Sequence, residues 1–219
     1  MNILAVETAT PMCSVALSVD GEVRSYQQLA PRGHASLVLP WIEKLLAKAD
    51  LRYADIDHLA VGRGPGGFTS LRIGLGITQG IALAHELPVS PVSSLAALAR
   101  AAGPGQDGDC VLALIDARMS EVFAGWFQDG SAGLEELAPE TVCPPDQVAL
   151  PMPGQWRVAG SGLSVYSDII RARLGNAVAA WLPDVFPLAE SVIDLSAGIE
   201  SVAPWELEPN YVRDQVTQD

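Results

Sequence analysis

A helix that keeps three glycines and is apolar on two sides constrains this chain more than any other feature. Residues 62–80 read Gly-Arg-Gly-Pro-Gly-Gly-Phe-Thr-Ser-Leu-Arg-Ile-Gly-Leu-Gly-Ile-Thr-Gln-Gly. The pattern predicts an apolar strand over 56–61, a glycine-rich turn, and then the helix. Gly74, Gly76 and Gly80 each cost about 1 kcal/mol against alanine in a helix interior. Arg72, Gln79 and Glu86 leave only a narrow polar stripe. Gly76 and Gly80 share one face with Ile73, Ile77 and Ala84, while Leu71, Leu75 and Ala82 lie on the other. A helix with two apolar faces must bury both. One face can rest on its own sheet; the second calls for another helix, which the glycines let come close. The segment therefore reads as a docking element first and a ligand loop second.

The elements before it predict an antiparallel meander. Strands over 2–8, 13–19 and 22–28 are joined by a turn at 9–12 and by Asp20-Gly21, a strong hairpin signal. A helix over 34–49 follows, its apolar stripe formed by Val38, Trp41, Ile42, Leu45, Leu46 and Ala49, with Pro40 expected to kink its first turns. A short strand near Val89 leads to a helix over 93–102. Gly103 to Asp109 reads as a linker. Beyond it Val111-Leu112-Ala113-Leu114-Ile115-Asp116-Ala117 resembles Ile3-Leu4-Ala5-Val6-Glu7-Thr8-Ala9, and each is followed by a turn and a strand ending at Asp-Gly. The likeness is short; it is either chance or the mark of a duplicated lobe. The expected division is residues 1–103 and 104–219. The second lobe looks eroded: a proline-rich loop (Pro139, Pro144, Pro145, Pro151, Pro153), one strand over 156–159, a helix over 165–174, and a tail broken by prolines and glycine.

Composition removes several classes of function. The net charge is -13, and it is uneven. Residues 1–110 hold 10 acidic and 8 basic side chains, residues 111–219 hold 16 and 5. Nucleic-acid affinity comes from basic groups that displace counterions, so the chain lacks the means to hold RNA alone, and its second half reads as a solvated acidic surface. Hydrophobic residues reach 49%, yet no run of about 18 uncharged apolar residues exists to cross a bilayer. The start has no basic region before its apolar run, and Cys13, Cys110 and Cys143 are scattered, so a cytoplasmic protein with reduced thiols is expected.

Catalytic signatures are missing. Gly62-x-Gly64-x-x-Gly67 matches a dinucleotide fingerprint literally, but that turn belongs to the first strand–helix unit of a parallel sheet, and here a meander and a helix come first. Pro65 also removes a backbone N–H that should face phosphate. There is no Gly-Lys-Ser/Thr run and no Gly-x-Ser-x-Gly elbow, and His34, His58 and His85 form no pair at metal-ligand spacing. No catalytic residue, metal or cofactor is expected. Thr8, Thr10 and Asp116 stand at strand ends where a two-lobed ATPase would hold phosphate or Mg²⁺; the competing reading makes Asp116 and Glu7 ordinary hairpin polar groups.

A hairpin-first, duplicated lobe describes the actin/Hsp70-like α/β architecture (ASKHA), with the second lobe reduced. Within it, the runs Ile3 to Thr10, Cys13 to Leu17, Gly62 to Gly80, Ile115-Asp116-Ala117-Arg118-Met119 with Glu121-Val122, and Glu208-Pro209-x-Tyr211-Val212-Arg213 resemble the TsaB (YeaZ) family over almost the whole chain. Gly-Arg-Gly-Pro-Gly-x-Phe-Thr is the specific carrier. The resemblance implies a non-catalytic scaffold in threonylcarbamoyladenosine modification of tRNAs reading ANN codons. It would bind the catalytic paralogue TsaD through the two first-lobe helices, act with the ATPase TsaE, meet tRNA only through the complex, and pair with itself as a homodimer when alone. The expected contacts are Val38, Trp41, Ile42 and Leu45 on the first helix, and Phe68, Thr69, Arg72, Ile73, Gly76, Ile77 and Gly80 on the second. TsaD holds a metal with two histidines four apart after a Pro-Val pair; here Ser94 and Leu98 fall at those places after Pro91-Val92. Glu7 departs from the aspartate of many relatives, which weakens a phosphate-binding role. The rival readings are a divergent, sugar-kinase-like ATPase and a peptidase, the latter without an assignable nucleophile.

Overall fold

The computed structural model describes residues 1–103, 108–130 and 133–212. The chain opens with strands β1 (Ile3–Glu7), β2 (Met12–Val19) and β3 (Glu22–Leu29). Helix α1 (His34–Lys48), strand β4 (His58–Gly62), helix α2 (Phe68–His85), strand β5 (Val89–Val92) and helix α3 (Ser94–Ala101) follow. The next meander is β6 (Cys110–Arg118), β7 (Glu121–Gly130) and β8 (Gly133–Cys143). Then come β9 (Trp156–Ala159), α4 (Ser161–Leu174), β10 (Val178–Leu182) and α5 (Ala189–Ser196).

The strands form two five-stranded mixed sheets, ordered β3-β2-β1-β4-β5 and β10-β9-β6-β7-β8. In each, a three-strand antiparallel meander supplies one half and two parallel strands the other. The topology is the same read from the meander outward, so the short likeness between the segments at β1 and β6 is repeated in the whole strand plan. The second lobe is reduced in helices, not in strands: β8 passes to β9 without a counterpart of α1.

Two expectations for the second lobe change. The proline-rich stretch starts inside a strand, because Pro139 lies in β8, an edge strand whose pairing with β7 shifts register near Trp126. An edge strand tolerates a missing N–H that a central one would not. The broken tail holds α5 as well. Helix α1 continues through Pro40.

The chain divides into two compact units, one formed by Met1–Ala97 with Pro187–Asn210 and one centred on Leu98–Phe186. The expected cut at 103/104 would have given the whole tail to the second lobe; residues 187–210 return to the first. The reason is visible in β1. Strand side chains alternate between faces: Leu4 and Val6 join a core with α1 and α2 residues, while Ile3 and Ala5 join a second core of small side chains with Ala16, Ala60, Ala189 and Val192. That second face needs a cover, and α5 provides it, with Ser14 Oγ accepting a hydrogen bond from Ala189 N. In the second unit, Leu112, Leu114, Trp156 and Val158 pack with Leu163, Ile170 and Leu174 of α4.

Candidate partner-docking face and the glycine-rich turn

Helix α2 separates its two apolar faces as its sequence predicts. Leu71, Gly74, Leu75, Thr78, Ile81 and Ala82 are buried toward the first sheet. A side chain at Gly74 would collide with Thr8 Oγ1, so this glycine is required by close approach of helix to strand. Gly76 and Gly80 differ: nothing lies within 4 Å of where their side chains would begin. They line an open groove of about 310 Å³ together with Leu39, Tyr53, Ile77, Ile81, Ala84 and His85. The rings of Tyr53 and His85, both in its lining, stack at 5.6 Å. At the start of α2, Phe68 is 47% exposed and the Arg72 guanidinium lies 3.6 Å from its ring centre. Such stacking holds an arginine in one geometry at the surface.

The two sets of expected contacts part company here. Phe68, Thr69, Arg72, Gly76 and Gly80 are exposed, and Ile73 and Ile77 are half-buried. Val38, Trp41, Ile42 and Leu45 are buried in the core beneath α1 and present no surface to a partner. An amphipathic stripe says which side of a helix is covered; on α1 the sheet covers it. The groove takes Leu39 from the flank of the buried stripe of α1, an exposed leucine that was the available signal.

The glycine-rich turn packs on the end of β1. Glu7 is fully buried; its Oε1 accepts a hydrogen bond from Ala9 N at 2.6 Å and its Oε2 from Ser94 Oγ at 2.9 Å. Gly62 leaves room for that carboxyl, since any side chain there would overlap it. Burial pushes the Glu7 carboxyl up to about 7, against the hydrogen bonds from Ala9, Ser94 and Thr8, which favour the ionised form. Cys13, nearby on β2, has its thiol raised to about 12 by burial and by Glu7. Thr8 Oγ1 donates to Ser70 O at 2.8 Å, and Thr10 Oγ accepts from Met12 N at 3.3 Å. Both threonines are buried. In the second unit Asp116 Oδ2 pairs with Arg118 at 3.0 Å and Oδ1 accepts from Arg118 N at 2.9 Å. That is the hairpin role its position allows. Ser94 and Leu98 are buried as well.

Two sheets of one topology, helices on their faces, and a glycine-rich turn closing over the end of the first strand define a duplicated actin-like α/β protein. A family described as "TsaD: tRNA N6-adenosine threonylcarbamoyltransferase" matches residues 23–199. The chain is 38% identical to the Escherichia coli (strain K12) "tRNA threonylcarbamoyladenosine biosynthesis protein TsaB", with 99% of this chain and 96% of that protein covered. It is 37% identical to the Haemophilus influenzae protein of the same name, at 99% and 95% coverage. The solved structure "YeaZ from Pseudomonas aeruginosa" superposes with a TM-score of 0.87 at 37% identity, covering 96% of this chain and 99% of that one. A second structure from that organism, described as similar to peptidase YEAZ, gives 0.89 at 37% identity and covers 97% and 99%. The chain belongs to the TsaB (YeaZ) family of tRNA threonylcarbamoyladenosine biosynthesis proteins.

Proposed function

We propose that this chain is a non-catalytic scaffold in tRNA threonylcarbamoyladenosine biosynthesis, and that it binds the catalytic paralogue TsaD through the glycine face of α2. The observation that carries this reading is the contrast between glycines on one helix. Gly74 meets Thr8 inside the fold, whereas Gly76 and Gly80 front an unfilled apolar groove. Glycines that cost helix stability and touch nothing within their own chain suit the close approach of a second helix. Phe68 and Arg72 extend the same surface toward the turn. TsaE acts with the assembled pair, tRNA is met only in that complex, and without TsaD the groove of a second copy is the available cover, giving a homodimer. The setting is the cytoplasm. The ATPase reading draws no support from Thr8 and Thr10, both buried, the Thr8 hydroxyl donating to Ser70 O and the Thr10 oxygen accepting from Met12 N.

The test is size-exclusion chromatography with light scattering on the chain, on TsaD, and on their mixture. A one-to-one complex forming at the expense of any self-associated species is expected. Two proteins that elute independently at tens of micromolar, a concentration that would reveal any complex of about −6 to −7 kcal/mol, overturn the proposal.

A further inference from the structure

Glu7 is a buried acid with no cation paired to it among the described residues, placed under the turn that starts the docking helix. Two hydrogen-bonded routes leave its carboxyl and both end in that turn. Through Oε2 it holds Ser94 Oγ at 2.9 Å, which also accepts from Gly64 N at 3.2 Å, while Ser94 N donates to Gly64 O at 2.8 Å. Through Oε1 it holds Ala9 N, and Ala9 O accepts from Gly67 N at 2.7 Å, the residue that caps α2. Thr8 completes the seam by its bond to Ser70 O in the first turn of α2. Phe68, Thr69 and Arg72, exposed on the proposed docking surface, begin immediately beyond.

We propose that Glu7, Ser94 and the glycine-rich turn form a latch whose protonation sets the position of the first turn of α2, and with it the strength of docking. The inference rests on the docking reading above. As the neutral acid, Glu7 carries no buried charge and still accepts from Ala9, but the Ser94 hydroxyl, which donates to Glu7 Oε2 and accepts from Gly64 N, must then reorient. Ionised, it becomes a fully buried carboxylate served only by neutral donors, Ala9, Ser94 and Thr8, and burial outweighs them. The relief open to it is displacement of the glycine turn to admit water. Burial brings its titration to about 7, where the two forms coexist.

Among the described residues no lysine or arginine pairs with the charge, and the buried His34 of α1 is engaged through Nε2 with Thr10 O at 2.9 Å. The titratable group facing it from β2 is Cys13, which remains a neutral thiol at these pH values. β4 presents Gly62 and α3 presents Ser94. On the turn and α2, Arg63 is exposed and Arg72 lies over Phe68. On α5, Glu190 accepts from Ser25 and Asp194 is exposed.

The experiment compares wild type with Glu7→Gln at about pH 6 and about pH 8. Wild-type affinity for purified TsaD, measured calorimetrically, is expected to fall about tenfold across that range, one decade per pH unit above the Glu7 pKa. Glu7→Gln, neutral throughout, should keep its pH 6 affinity. A variant that follows the wild-type profile overturns the latch, because the dependence then belongs to other groups. A second arm needs no partner. In the isolated wild-type chain, hydrogen-exchange protection of the Gly64 and Gly67 amides should drop above pH 7 relative to the amides of the β6–β7 hairpin, and in Glu7→Gln it should not. If TsaD binds at neither pH the docking proposal fails, and these amides still decide the latch. If Glu7→Gln does not fold, a carbon-13 titration of the wild-type Glu7 carboxyl decides: a midpoint near 7 supports the latch, one near the ordinary 4.5 ends it.

Discussion

At the scale of single residues, Glu7 sets a measurable pH dependence of stability that is separate from docking. Its carboxyl titrates near 7 in the folded chain and near 4.5 unfolded. Between those values the folded state holds a proton that the unfolded state has released. Its contribution is therefore complete below about 4.5 and is lost as pH rises to about 7, an effect of about 3 kcal/mol for a shift of that size. His58 runs the other way. Burial lowers its pKa, and its Nε2 bonds Ser90 Oγ at 2.8 Å. Its contribution is present above the ordinary histidine pKa and lost as pH falls through the lower, folded value. The clean reading is thus the difference between proteins: urea denaturation at about pH 5 and about pH 7.5 should show Glu7→Gln gaining on wild type by roughly 2–3 kcal/mol at the higher pH. Equal shifts in both proteins would mean that Glu7 titrates normally. The sequence carried little of this. A polar residue ending a buried strand is visible, but Ser94 lies 87 positions away, and only the parallel pairing of β1, β4 and β5 brings the two together.

Elements were legible where hydrophobic period and turn chemistry agreed. Asp20-Gly21 joins β2 to β3 with both residues at positive φ, as an Asp-Gly hairpin turn requires, and α2 has the buried and open faces its glycines predict. Elements were lost where punctuation outweighed pattern. Pro139 hid β8, whose edge position makes proline harmless, and Pro183, Pro187 and Gly198 hid β10 and α5, both too short to show a period. The misplaced docking residues of α1 have a different cause: one apolar stripe cannot reveal whether sheet or partner covers it, whereas two stripes on one helix can. That distinction makes the helix-scale prediction specific. Gly76→Leu and Gly80→Leu should leave the circular dichroism and melting temperature close to wild type, since nothing lies within 4 Å of either position. Each should weaken TsaD binding by about 5- to 150-fold, the equivalent of the roughly 1–3 kcal/mol that overpacking costs. Gly74→Leu is the control expected to unfold, because its side chain would enter Thr8. Normal binding by a folded Gly76→Leu would remove this face from the interface.

For the whole molecule, the decisive property is its net charge of -13. The strand plan is duplicated and so is the sign of the charge: Met1–Ala97 with Pro187–Asn210 carries 13 acidic against 7 basic side chains, and the other residues carry 13 against 6. Surfaces of that sign repel a polyanion. This tendency favours a chain that meets tRNA only as part of an assembly. Filter binding with the isolated chain at about 0.15 M salt should then give no saturable retention of tRNA in the micromolar range, where non-specific nucleic-acid binders already register. Lowering the salt should bring little recovery, because the slope of affinity against salt scales with phosphates neutralised and this chain has only 13 lysines and arginines against 26 acidic residues. Adding TsaD should restore retention. A dissociation constant below about 1 µM for the chain alone would mean that its few basic residues are gathered into a working site, and the scaffold reading would have to give way to a direct role in holding tRNA.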